Sequence, residues 1–197
     1  PSPDLDTQAL RKLLNENLPP DMRAVAIEVV PKGFNAISDV TAKQYSYFFC
    51  FGEKPHPFAA PFFGYFRGDL DMSAMKAAAR QFEGTHDFSA FIAGNTEDKK
   101  RERTIEQSGI VENQAFTASF FPDVSYEYRV TGKGFGRYQV RLMMAALVAI
   151  GQGTAPPDAL EDSLKNGSDW PIGTIAPGSG LQLQMTRYGN PGNSSYI

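Results

Sequence analysis

Residues 142–150 carry only apolar side chains. A run of this kind, without charge, reads as an apolar helix. Arg141 stands at its head, behind Gly134-Phe135-Gly136-Arg137-Tyr138-Gln139-Val140. A guanidinium keeps its proton at any physiological pH, and in an apolar surround it needs a fixed anion such as a carboxylate or phosphate. The other placement lays its alkyl stem along the helix and leaves the head in water. The segment by itself admits both.

The periodicities around that helix describe a mixed domain. Thr7–Asn17 reads as a helix capped by Asp6 or Thr7, with Leu10, Leu13, Leu14 and Leu18 on one side and Pro19-Pro20 as its stop. Residues 23–30 alternate as a strand, and residues 43–51 form a second strand dense in aromatics. Residues 55–68 are a Pro- and Gly-rich loop. Residues 69–82 form a helix capped by Asp71, with Met72, Met75, Ala79 and Phe82 inward and Gly84 as a left-handed stop. Two strands are expected in residues 104–121, and residues 125–130 form a half-buried strand with Tyr126, Tyr128 and Val130 inward. Helices follow at residues 138–150 and 157–165, then the strand Leu181–Tyr188 and a flexible tail over residues 190–197. Antiparallel strands with a few helices and no sustained βαβ alternation give an α+β class with a mixed, largely antiparallel sheet.

With 197 residues, 42% of them hydrophobic, the chain can bury a core as one domain or two packed lobes. A formal net charge of −3 does not advertise nucleic-acid binding, though an RNA enzyme can gather its cations on one face. Lys99-Lys100-Arg101 with Arg103 is the densest basic cluster, read either as a solvated loop or as a phosphate contact. Cys50, the only cysteine, excludes an intramolecular disulfide and reads as a small buried hydrophobe in an intracellular protein. No apolar stretch approaches the ~20 residues that span a bilayer, so no membrane partner is expected. The start at Pro1 suggests a processed or trimmed product, which leaves the compartment open.

Five segments in order carry a resemblance. They are Leu14-Asn15-Glu16-Asn17-Leu18-Pro19-Pro20-Asp21, Lys43-Gln44-Tyr45-Ser46-Tyr47, Gly84-Thr85-His86-Asp87-Phe88-Ser89-Ala90-Phe91, the Arg141 segment, and Ala176-Pro177-Gly178-Ser179-Gly180-Leu181-Gln182-Leu183. From about Leu10 to Tyr188 the chain resembles the TruA-type tRNA pseudouridine synthases. The resemblance implies a ferredoxin-like lobe over residues 1–189, tRNA or another structured RNA as partner, and isomerisation of uridine to pseudouridine. That reaction needs no metal, nucleotide or redox cofactor, and His56, His86 and Cys50 show no zinc spacing.

The resemblance further implies catalytic roles for Tyr45, which would pack on the uracil, and for Arg141, which would pair with a catalytic carboxylate. Without the resemblance, Tyr45 reads as an ordinary strand aromatic. Lys43 is a candidate phosphate contact. His86, Phe88 and Phe91 are candidates for the RNA path, and the sequence equally permits Phe88 and Phe91 as core aromatics. Leu181 and Leu183 resemble a pocket wall. The family's nucleophile is an aspartate in an Arg-Thr-Asp segment, and none of the twelve aspartates here follows Arg-Thr. The expectation is therefore a portion lacking the nucleophile, whose Tyr45 and Arg141 face is completed by a missing N-terminal segment or by self-association. The alternatives are an inactive relative that binds structured RNA and a scaffold for protein contacts. Gly136 and Ala145 replace the family's Leu and Gly, and Phe34-Asn35-Ala36-Ile37 replaces its Phe-His-Ala-Arg.

Overall fold

The computed structural model describes residues 6–94, 101–167, 170, 174–189 and 195–196. Helix α1 (Thr7–Asn17) starts where the Asp6 carboxylate accepts the backbone N–H groups of Gln8 and Ala9, both at 3.0 Å, and ends ahead of Pro19-Pro20. No residue of α1 is buried, and Leu13 and Leu14 face solvent rather than a core. Residues 23–30, expected as a strand, join no sheet. They run back along α1, where Asn15 exchanges hydrogen bonds of 2.8 and 2.9 Å with the backbone of Ala24 and Arg11 donates to the Val25 carbonyl at 3.1 Å. Helix side chains thus take up backbone groups that a ladder partner would otherwise satisfy.

The sheet grows from β1 (Val40–Gly52), the long aromatic strand. The expected loop that follows contains one turn of 3-10 helix at Pro57–Ala59 and a short strand β2 (Gly64–Arg67), parallel to the end of β1. Next come α2 (Met72–Gln81), capped by Asp71 on Ala74 N–H at 2.9 Å, then β3 (Gly84–Asp87), β4 (Glu102–Glu112) and β5 (Tyr126–Gly132). Helices α3 (Gln139–Gly151) and α4 (Pro157–Asn166) precede β6 (Leu181–Tyr188) and β7 (Ser195–Tyr196). Strand order is β3-β4-β5-β1-β6-β7, with β2 beside β1. Every pairing except β1–β2 is antiparallel. The path β1-α2-β4-β5-α3-β6 across the order β6-β1-β5-β4 is the split βαβ arrangement of ferredoxin-like folds. The chain is therefore α+β with a largely antiparallel sheet.

Residues 104–121 do not hold two strands. β4 is one long strand, after which Asn113 accepts Phe116 N–H at 3.0 Å and donates to its carbonyl at 2.7 Å, turning the chain out of the sheet. Phe116 and Phe121 then pack with Phe48, Cys50, Ala59 and Phe63 on one face of the sheet. This cover explains a second departure: Glu127, expected outward, is buried. Its carboxylate accepts the Ser46 hydroxyl and pairs with Arg129 at 2.7 Å, which compensates for its removal from water. Burial pushes the Cys50 thiol up to about 11, so Cys50 is a neutral packing group.

The opposite face holds the main core, where α2, α3 and α4 pack on Tyr47, Phe49, Ile105, Tyr128 and Val130. In α3, Met143, Met144, Ala146 and Leu147 are fully enclosed, as the charge-free run requires. Each such large side chain contributes about 1.5–3 kcal/mol of burial. Of the expected tail, residues 190–194 and 197 lie outside the described residues, and Ser195–Tyr196 pair with Thr186 and Arg187 rather than leaving the sheet.

Candidate active site

Lys43, Tyr45 and Tyr47 alternate along β1, so their side chains leave the same face of the sheet. Tyr45 lies opposite Val130 of β5 and Leu183 of β6, beside a slip in the β1–β6 register between Gln44 and Tyr45. Its ring is half-buried and meets Phe135 edge-on, with centroids 5.2 Å apart at 86°. Phe135 comes from the loop into α3. In that loop a Cβ on Gly136 would lie 2.6 Å from the Ile92 side chain, so the absence of one lets the backbone approach Ile92 closely. Leu183 remains exposed next to Tyr45, while Leu181 packs on the core.

Two residues further along β1, Tyr47 is fully buried and its hydroxyl donates to the Pro177 carbonyl at 2.7 Å. Burial pushes this phenol above the ordinary tyrosine range, and the nearby Arg141 charge offsets only part of the effect. Tyr47 is therefore a fixed neutral donor. Arg141 grips the same segment: its Nε–H donates to the Ala176 carbonyl at 2.6 Å, and its own carbonyl accepts Ala176 N–H at 3.4 Å. A Cβ on Gly178 would sit 3.7 Å from the guanidinium carbon. Gly180 lets residues 176–180 press onto the sheet, since a Cβ there would be 2.4 Å from the Phe48 carbonyl oxygen.

Arg141 thus meets no fixed anion among the described residues and is half-buried. Its inner nitrogen is held by a neutral backbone carbonyl. Among the described residues the ion pairs join Lys12 to Glu16, Arg129 to Glu127 and Lys165 to Glu161, and none includes Arg141. Its guanidinium also lies over the ring of Tyr138, 5.2 Å from the centroid, as does that of Arg137 at 5.1 Å. Tyr138, Phe135 and the Ala176 and Pro177 carbonyls are parts of this site that sequence reading did not single out as such. The glycines around them were the available signal for close approach, and nothing in the sequence marks the conformation of Tyr138.

The other sequence candidates separate. Lys43 is half-buried two residues before Tyr45. His86 is on β3, with two strands between it and β1, roughly 14 Å across the sheet at the usual strand spacing. Its Nε2 is 2.7 Å from the Glu83 carbonyl oxygen. Phe88 and Phe91 are fully buried against Phe82, so they are core aromatics and not part of an RNA path. Of the basic cluster, Lys99 and Lys100 lie outside the described residues. Arg101 is no solvated loop residue, since it donates to the carbonyls of Ser89, Ile92 and Gly94 at 3.3, 3.3 and 2.6 Å. A cleft of about 510 Å³ lies along α3 beside Tyr65, Phe66, Trp170 and Pro177, and neither Tyr45 nor Arg141 lines it.

The family model described as tRNA pseudouridine synthase matches residues 78–189, which include the end of α2, all of α3 with Arg141, and β6. The tRNA pseudouridine synthase A of Limosilactobacillus reuteri (strain DSM 20016) is 34% identical over 185 residues, covering 94% of this chain and 70% of the relative. That of Limosilactobacillus fermentum is 33% identical over 187 residues, covering 94% and 69%. That of Thermodesulfovibrio yellowstonii is 30% identical over 184 residues, covering 91% and 71%. With the ferredoxin-like path already in view, these matches show that the chain belongs to the tRNA pseudouridine synthase family.

Proposed function

We propose that the protein isomerises uridine to pseudouridine in tRNA, at the junction of β1, α3 and residues 176–178. One observation carries this reading: Arg141 makes its hydrogen bond through Nε, is in no ion pair among the described residues, and lies near Tyr47, two residues along β1 from the half-buried Tyr45 on the same face. In the isomerisation the N1–C1′ bond breaks, a C5–C1′ bond forms, the C5 hydrogen leaves and N1 takes up a proton. A carboxylate at the ribose attacks or stabilises C1′, and Arg141 would hold that carboxylate ionised and oriented. The Tyr45 ring packs on the uracil, and its hydroxyl takes part in proton transfer. Lys43, on the same face, contacts a phosphate and sets register without reading sequence. Since no aspartate here follows Arg-Thr, the reading takes the carboxylate from a segment other than these residues.

The test is tritium release from tRNA carrying uridine labelled at C5, using the protein expressed from its complete reading frame. Tyr45→Phe should lower the rate by about 10²–10⁴-fold, the usual range for a positioned acid or base, while tRNA binding stays within about twofold. Retention of tRNA with no release by the unmodified protein would replace isomerisation by RNA binding.

A further inference from the structure

Tyr138 is the only described residue other than glycine with a positive φ, at 59°. That conformation is costly for a residue bearing a Cβ, and glycine takes it freely. The position is also the N-cap of α3, where Ser, Asn or Asp would bond a free N–H, and the Tyr138 side chain makes no such bond. A tyrosine here thus suits neither the backbone nor the helix start. What it supplies is its ring, half in solvent, with the guanidiniums of Arg137 and Arg141 over it at 5.1 and 5.2 Å.

We infer that Tyr138 is a positioning residue for Arg141, holding the guanidinium through its ring without neutralising it. The inference rests on the reading of Arg141 as the group that meets the catalytic carboxylate, and it adds how that group is kept ready. Arg137, just before the helix, and Arg141, in its first turn, carry like charges that both lie within about 5.2 Å of the one ring centroid and so repel each other. The negative face of the ring attracts both. An acidic side chain would hold Arg141 more tightly, but it would occupy the terminal nitrogens that an incoming carboxylate needs. The ring, together with the Ala176 carbonyl on Nε, restrains the side chain and leaves those nitrogens to the carboxylate.

The test reads the Arg141 Nε–H proton by NMR, assigned by its loss in Arg141→Lys, alongside isomerisation by the protein from its complete reading frame. Tyr138→Phe should keep slow exchange of this proton with water. Tyr138→Gly and Tyr138→Asn, which both tolerate the left-handed backbone, should speed exchange about tenfold, the scale of a partly desolvated cation–π contact. In both, kcat should fall by a similar factor with KM for tRNA unchanged, since only a transition-state interaction is loosened. Tyr138→Gly should melt no lower than the unmodified protein, which separates the effect from folding. Unchanged exchange in Tyr138→Gly would overturn the inference. Faster exchange in that variant, combined with full isomerisation by Arg141→Lys, would uphold the positioning and sink the catalytic reading of Arg141.

Discussion

Two aromatic groups pack against the same helical layer and differ in every respect that separates stability from chemistry. Phe82, Phe88 and Phe91 are fully enclosed, touch one another at centroid distances of 5.4–6.2 Å, and bring no polar atom into the core. Tyr45, Phe135 and Tyr138 are half-buried or exposed, and Tyr138 both lies under a guanidinium and has the one positive-φ non-glycine backbone among the described residues. The first group gains from close packing alone. On the proposed function, the second gives up packing to keep a charge and a hydroxyl open to the substrate, which a protein tolerates where the arrangement serves function.

Phe91→Ala is the largest test of that contrast. It opens a cavity bounded by Phe82, Phe88 and Trp170 and should lower unfolding free energy by about 3–5 kcal/mol, read by urea denaturation. The isomerisation rate per folded molecule should stay within about threefold of normal, far from the loss expected for Tyr45→Phe. A comparable loss of rate would erase the distinction between the two groups.

Tyr47→Phe probes the seam, since Tyr47 belongs to the core by burial and to the site by its bond to Pro177. Removing the hydroxyl should cost about 1–2 kcal/mol, because the Pro177 carbonyl loses its donor. It should also lower the rate several-fold, about one factor of five to ten, by loosening the segment that Arg141 grips. Loss of stability with no loss of rate would assign Tyr47 to the core alone.

The smallest effect tests the sheet's other face. The native Cys50 thiol titrates near 11 against an ordinary value of 9.0, so between those pH values the unfolded chain has released a proton that the native state retains. Stability must then fall as pH rises through that window, and Cys50→Ala should flatten this part of the curve without altering the rate. A slope unchanged in Cys50→Ala would show that the thiol is not sealed by that face.

Much of the fold was legible because it depends on near neighbours. Asp6 and Asp71 cap α1 and α2 through N–H groups two or three residues away, and the apolar run of α3 is buried except along the half-buried Ala145 and Ala149. Residues 23–30 misled because alternation reports a pattern and cannot report whether a partner strand exists. Glu127 misled because residues 113–121, which leave the sheet, cover the face it was expected to expose to water.

By itself the sequence determined the α+β class, the buried helix behind Arg141, and the order of segments that singles out Tyr45 and Arg141. Only the tertiary structure decided that Phe88 and Phe91 are enclosed, that His86 sits across the sheet from β1, and that Arg141 rests on a carbonyl and a strained tyrosine. The bond from Arg141 to Ala176 spans 35 residues and that from Tyr47 to Pro177 spans 130. Strand order sets such contacts, and it arises from packing of the whole sheet rather than from any local period.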